Sequence, residues 1–194
     1  RSGLCAAAGS PLTPVVAAEQ SGLPWNLAQM LVAKLPETVF VPGDAALAQA
    51  QALKSDWELD KIRLCGARHD QGLRKLVPER IRPGMSEREI SHQCWDAFFK
   101  LGHMGQLRMG GHGEEIFLGH VAAGDSGNYP SVFNGPVGLR GEHPAVPLSG
   151  YAGTVWKKGQ VLTLDVGFAL EGYQTDKTQV YFAGASSDLP EDVR

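Results

Sequence analysis

The stretch that most constrains the fold is the ten-residue run Val161 to Leu170, in which bulky apolar residues alternate with small or polar ones. Successive side chains of an extended strand point to opposite faces. Leu162, Leu164, Val166, Phe168 and Leu170 therefore share one face, built for packing, and Val161, Thr163, Asp165, Gly167 and Ala169 share the other. Glu171-Gly172 then reads as a tight two-residue turn into a second strand, Tyr173 to Phe182. With that loop, Leu170 pairs with Tyr173, Gly167 with Asp176 and Asp165 with Thr178. Asp165 and Asp176 become diagonal neighbours on one face, with Gly167 leaving space beside them. A slip of one residue would put them on opposite faces.

Two carboxylates placed together repel unless something positive sits between them. Leaning inward, they could reach a pair of metal ions roughly 3.5 to 4 Å apart. Hard oxygen ligands suit Mn, Mg or Co, and also Zn. The bland alternative is that Asp165 faces solvent or pairs with Lys157 or Lys177. Spacing alone leaves both readings open.

Two helices are expected to cover the apolar face. Ser55-Asp56-Trp57-Glu58 and Ser86-Glu87-Arg88-Glu89 both carry the capping pattern in which a Ser hydroxyl and a Glu carboxylate satisfy orphan amides. After the first, Leu59, Ile62, Cys65, Leu73 and Leu76 predict a helix over 57–77. After the second come Ile90, Cys94, Phe98 and Leu101, with Gly102 as a left-handed stop. The fold class is thus α+β. Upstream, Thr38 to Val41 reads as a strand and Asp44 to Leu53 as a short helix, whereas residues 1–36 show weak periodicity. Met104 to Gly159 is dense in glycine and proline apart from a strand around Ile116 to Val121, and reads as long functional loops or short hidden strands.

Eighteen Lys and Arg nearly balance 21 Asp and Glu, leaving no basic field for nucleic acid or an anionic membrane. Apolar runs are too short for a membrane span or signal peptide, and a cytoplasmic protein is expected. Cys5, Cys65 and Cys94 are odd in number and far apart, against a disulfide framework or thiolate zinc site; Cys65 and Cys94 read as core fillers. The chain opens on Arg rather than Met and closes on a loop-like tail, so a fragment is expected.

The segments Leu164-Asp165-Val166-Gly167, Gly172-Tyr173 and Thr175-Asp176-Lys177-Thr178 resemble the D-x-G, G-Y and D-x-T-R signature of the pita-bread metallopeptidases, the creatinase, aminopeptidase P and prolidase family. Lys54-Ser55-Asp56-Trp57-Glu58, Ile81-Arg82-Pro83-Gly84-Met85-Ser86-Glu87 and Lys158-Gly159 resemble upstream motifs of that family, in the same order. The resemblance implies a pita-bread fold present as its N-terminal half over 54–194, preceded over 1–53 by the end of a smaller N-terminal domain. It also implies hydrolysis of peptide bonds next to proline in the intact protein, with peptide as substrate. Two divalent metal ions (Mn, Co or Zn) would be held in part by Asp165 and Asp176, and a homodimer is an expected assembly.

The remaining family ligands, a His and two Glu, would lie beyond Arg194, with a downstream Glu as general base, so the fragment itself is expected to be inactive. The family's substrate-contacting His falls about seventeen residues before the first Asp, where this chain has Pro147 and Leu148; His143 and His120 are the candidates for its role. His112 ranks below them, and His69, His92 and His103 read as packing or helix-surface residues. Gln179 stands where many members have Arg. These departures keep two alternatives in play: a creatinase-like hydrolase working on a small C–N bond without metal, and an inactive homologue used for binding.

Overall fold

The computed structural model describes residues 14–109, 115–131, 137–145, 147–189 and 191. The chain divides into two compact units, one built from the described residues before Asp56, the other from Asp56–Arg108 and Glu115–Arg194.

In the first unit β1 (Val15–Ala18) and β2 (Val39–Pro42) pair in parallel, α1 (Trp25–Lys34) makes the crossover, and α2 (Asp44–Ala52) follows. Parallel strands need such a crossover because no short turn can join them. Neither β1 nor α1 was expected from the sequence. A four-residue strand is too short to show alternation, and α1 buries no residue that would mark a stripe. Asp44, the first residue of α2, accepts the backbone N–H groups of Gln20 at 3.1 Å and Ser21 at 2.9 Å, tying the end of β1 to that helix.

The second unit is organised by a three-stranded antiparallel sheet, β5 (Gly119–Ala123), β6 (Val161–Leu170) and β7 (Tyr173–Phe182), in that order. The β6–β7 register is the expected one: Leu170 faces Tyr173, Gly167 faces Asp176 and Asp165 faces Thr178. Its turn has φ of 52° at Glu171 and 86° at Gly172. Both values are positive, as in the turn whose twist matches that of the flanking strands. The Lys61 ammonium pairs with the Glu171 carboxylate, fastening the turn to the neighbouring helix.

Helices α3 (Asp56–Gln71) and α4 (Glu87–Lys100) cover the apolar face. Cys65, Leu73, Ile90, Cys94 and Phe98 pack there with Leu162, Leu164, Val166 and Phe168, all at most 1% exposed. The Phe98 and Phe168 rings meet edge to face at 5.3 Å, the geometry their quadrupoles favour. The α4 capping box forms, with Glu89 N–H donating to the Ser86 hydroxyl and Ser86 N–H to the Glu89 carboxylate. Glu87, fully buried, accepts the amides of Ala123 and Tyr151 at 2.8 Å each, so the start of α4 clamps the end of β5.

Two expectations need correcting. The 57–77 helix is regular only over Asp56–Gln71 and continues as a π-helical turn over Gly72–Leu76, with Val77 N–H bonding to the Gly72 carbonyl. The Phe98 ring presses on Gly72, where a Cβ would lie 2.7 Å from a ring carbon, and the wider turn leaves both Leu73 and Val77 buried. The expected strand around Ile116 to Val121 is two strands, β4 (Glu115–Ile116) and β5, separated by a bend at Phe117 and Leu118. β4 pairs with β3 (Leu107–Arg108) in a separate ribbon.

His69 sits in this core at 1% exposure, its ring beside Phe98 and Phe168 and its Nδ1 3.1 Å from the Thr175 hydroxyl. Burial, reinforced by the nearby Lys177 charge, pushes its pKa down to about 4. A folded-state value below the unfolded one means that the unfolded chain takes up the proton first. The stability contribution is therefore complete above about pH 6.5 and shrinks as pH falls from there toward about 4. Urea unfolding between pH 7 and pH 4 should show this decline, up to about 3 kcal/mol from His69, and His69→Gln should flatten it. An unchanged slope in the variant would refute the assignment.

Candidate metal centre

The face of the sheet opposite the helices carries both aspartates. Asp165, partly exposed, and Asp176, exposed, stand on adjacent strands one rung apart, flanking Gly167. Thr178, directly across from Asp165, donates its hydroxyl to Asp165 Oδ1 and so orients that carboxylate. Lys177 is not its partner: the Lys177 ammonium binds Asp70 on α3, on the other side of the sheet. Although the residue as a whole is exposed, partial desolvation of its carboxylate against the sheet, and then the Asp165 charge, raise the pKa of Asp176. A negative site that resists its own ionisation is one that a cation would relieve.

His120 joins the pair from the third strand. It lies directly across from Asp165 on β5, so the two side chains take the same face, and it is 1% exposed. Burial lowers its pKa, against the opposing pull of Asp165 and Asp176, which favours the neutral imidazole that metal binding or proton transfer requires. His143 instead occupies an exposed loop, where its Nδ1 accepts the Ala145 amide at 3.1 Å. His69 and His103 are core residues, His92 is exposed on α4, and His112 lies outside the described residues. Cys65 and Cys94 are buried free thiols; Cys5 lies outside the described residues.

Among the described residues, no three His, Cys, Asp or Glu side chains are grouped so that they could hold a metal ion. The donor chemistry nevertheless fits one side of a divalent site: two carboxylates, one of them fixed by Thr178, with an imidazole on the adjoining strand. No described helix is long and apolar enough to cross a membrane.

The sequence reading missed Leu107 and Gln174. The Leu107 side chain lies over Gly167, its Cδ1 2.4 Å from where a Cβ would be. Gln174 bonds through its amide to the backbone of Arg108. A glycine inside a regular strand signals a close approach, but nothing in the aperiodic stretch after Gly102 says which residue makes it.

The model of metallopeptidase family M24 matches residues 60–193. Among solved structures, an X-Pro aminopeptidase from Thermotoga maritima MSB8 is similar at TM-score 0.68 and 20% identity, over 98% of this chain and 45% of that one. Dipeptidase PepE from Mycobacterium ulcerans is similar at TM-score 0.66 and 22% identity, over 98% of this chain and 42% of that one. An Xaa-Pro dipeptidase from Bacillus anthracis follows at TM-score 0.64 and 20% identity, over 86% and 39%. The chain thus spans less than half the length of these structures, whose pita-bread fold it shares in part. Among curated proteins, none matches the sequence significantly.

The electrostatics of the aspartate pair can be tested without a catalytic assay. In chelator-containing buffer, Asp176→Asn should stabilise the chain by about 0.5 kcal/mol, the scale of one like-charge contact across strands. A loss of stability in urea unfolding would show that the two carboxylates do not repel.

Proposed function

The chain belongs to metallopeptidase family M24, and from that premise we propose that its parent protein hydrolyses peptide bonds next to proline, using two divalent ions held in part by Asp165 and Asp176. The observation that carries this reading is the shared face of the two aspartates, imposed by the Glu171-Gly172 turn and the register it sets. The similarity to solved structures named as X-Pro aminopeptidase and Xaa-Pro dipeptidase supports proline-adjacent bonds as the substrate class.

Mn, Co or Zn ions held in part by Asp165 and Asp176 would supply Lewis acidity toward the scissile carbonyl. What the chain contributes is arrangement. The Thr178 hydroxyl holds the Asp165 carboxylate in one orientation. Asp176 supplies a second oxygen donor one rung away. His120, kept neutral by burial beside Asp165, can hold or pass a proton at the edge of the site. On this reading residues 54–194 form the first half of the catalytic domain and the other ligands come from downstream sequence. Two carboxylates and an imidazole alone make a weak site, so the 194-residue chain by itself should not turn over peptide.

The test uses a chain extended past Arg194 by its natural sequence, loaded with Mn, on a panel of Xaa-Pro peptides. Asp165→Ala and Asp176→Ala should each lower kcat/KM by about 1000-fold or more. Turnover retained within tenfold in either variant would sink the metal-ligand assignment. Binding of the panel without hydrolysis by the parent would favour an inactive homologue.

A further inference from the structure

Gly167 lies on the same face as both aspartates, with Asp176 as its register partner. The space above it is filled from outside the sheet by Leu107, which is 5% exposed. Leu107 has little freedom to leave. On one side β3 pairs with β4, Leu107 opposite Ile116. On the other, the Gln174 side chain acts as a neighbouring strand would: its Oε1 accepts the Arg108 amide at 3.2 Å and its Nε2 donates to the Arg108 carbonyl at 2.8 Å.

Leu107 also lines a cavity of about 240 Å³ between β3 and the turn end of the hairpin, together with Met104, Gln106, Ala169, Gly172, Gln174 and the Arg108–Glu115 ion pair. Gln174 and Asp176 are same-face neighbours on β7, spaced about 7 Å along the strand. The cavity therefore lies about one same-face rung from Asp176, and the Leu107 side chain stands over the Gly167–Asp176 rung at its border.

Resting on the peptidase reading above, we propose that Leu107 is a specificity-determining residue: it closes the turn end of the site and restricts the substrate side chain beside Asp165 and Asp176 to a small, uncharged one. The Leu107 isobutyl group cannot hydrate a charge, so a charged group pressed against it would lose its water on that side. A bulky side chain would meet the isobutyl group, which Gly167 beneath and Gln174 beside it hold in place. Truncating Leu107 to Ala would open the approach into the cavity, whose volume is enough for a large apolar side chain.

The test compares Ala-Pro and Phe-Pro peptides on the metal-loaded parent chain, its Leu107→Ala and Leu107→Val variants, and Leu107→Met, which keeps the volume. If the wild type hydrolyses the peptides, the readout is the Phe-to-Ala ratio of kcat/KM. If it binds without turnover, the readout is the same ratio of affinities by titration calorimetry. The ratio should rise about tenfold in Leu107→Ala, the scale of a few methylenes in an apolar pocket, rise less in Leu107→Val, and stay put in Leu107→Met. A ratio within twofold of wild type in whichever of the Ala and Val variants folds and keeps wild-type Mn affinity overturns the inference. Binding without turnover overturns the peptidase reading and leaves the affinity ratio to decide Leu107. A wild type that neither binds nor cleaves overturns both.

Discussion

The described architecture of the second unit depends on the two-residue turn at Glu171-Gly172. Positive φ at both residues gives the hairpin its tight reversal and fixes which residue of β6 meets which of β7. The side-chain period of a strand is two, so this one choice decides at once that Leu162, Leu164, Val166 and Phe168 are buried and that Asp165 and Asp176 are not. Core and candidate site are two faces of a single register.

The helices make that register hard to change. Shifting β6 by one residue would push Asp165 against Ile90, Cys94 and Phe98 and expose a row of leucines, at a cost of several apolar side chains and a buried charge. Further anchors come from the helical side. The Tyr181 hydroxyl donates to the Leu73 carbonyl beside the π-helical turn, and Tyr173 reaches Glu58 at 3.2 Å. Both lie on β7, one near each end, and between them Thr175 and Lys177 hold the strand to His69 and Asp70 of α3, so the whole helix-facing side of the strand bearing Asp176 is anchored.

What could be read from the sequence followed the range of the interactions involved. The hairpin and the Ser86 capping box are local, with every determinant within a few residues, and both are present as read. The standing of His120 was less legible, because its pairing with Asp165 spans a gap dense in glycine and proline across which no register can be counted. His143 competed with it on equal terms in sequence, yet occupies an exposed loop. The π-helical turn was hidden because Leu73 and Leu76 fit a regular helix nearly as well; what separates the two is the Phe98 ring, which belongs to another helix. Leu107 was invisible for a related reason: its partner Gly167 announces a neighbour without naming it.

The order of the sheet has one more consequence. With β5 and β7 both bonded to β6, β7 has its second edge turned away from the sheet, and alternate residues along its ten-residue length present backbone N–H and C=O groups outward. Any strand laid along that border would bring the two same-face side chains opposite Asp176 and Thr178 to within about 5 Å of them. The border is thus a ruler: it would set in advance the positions, two residues apart, from which an added strand could address the aspartates.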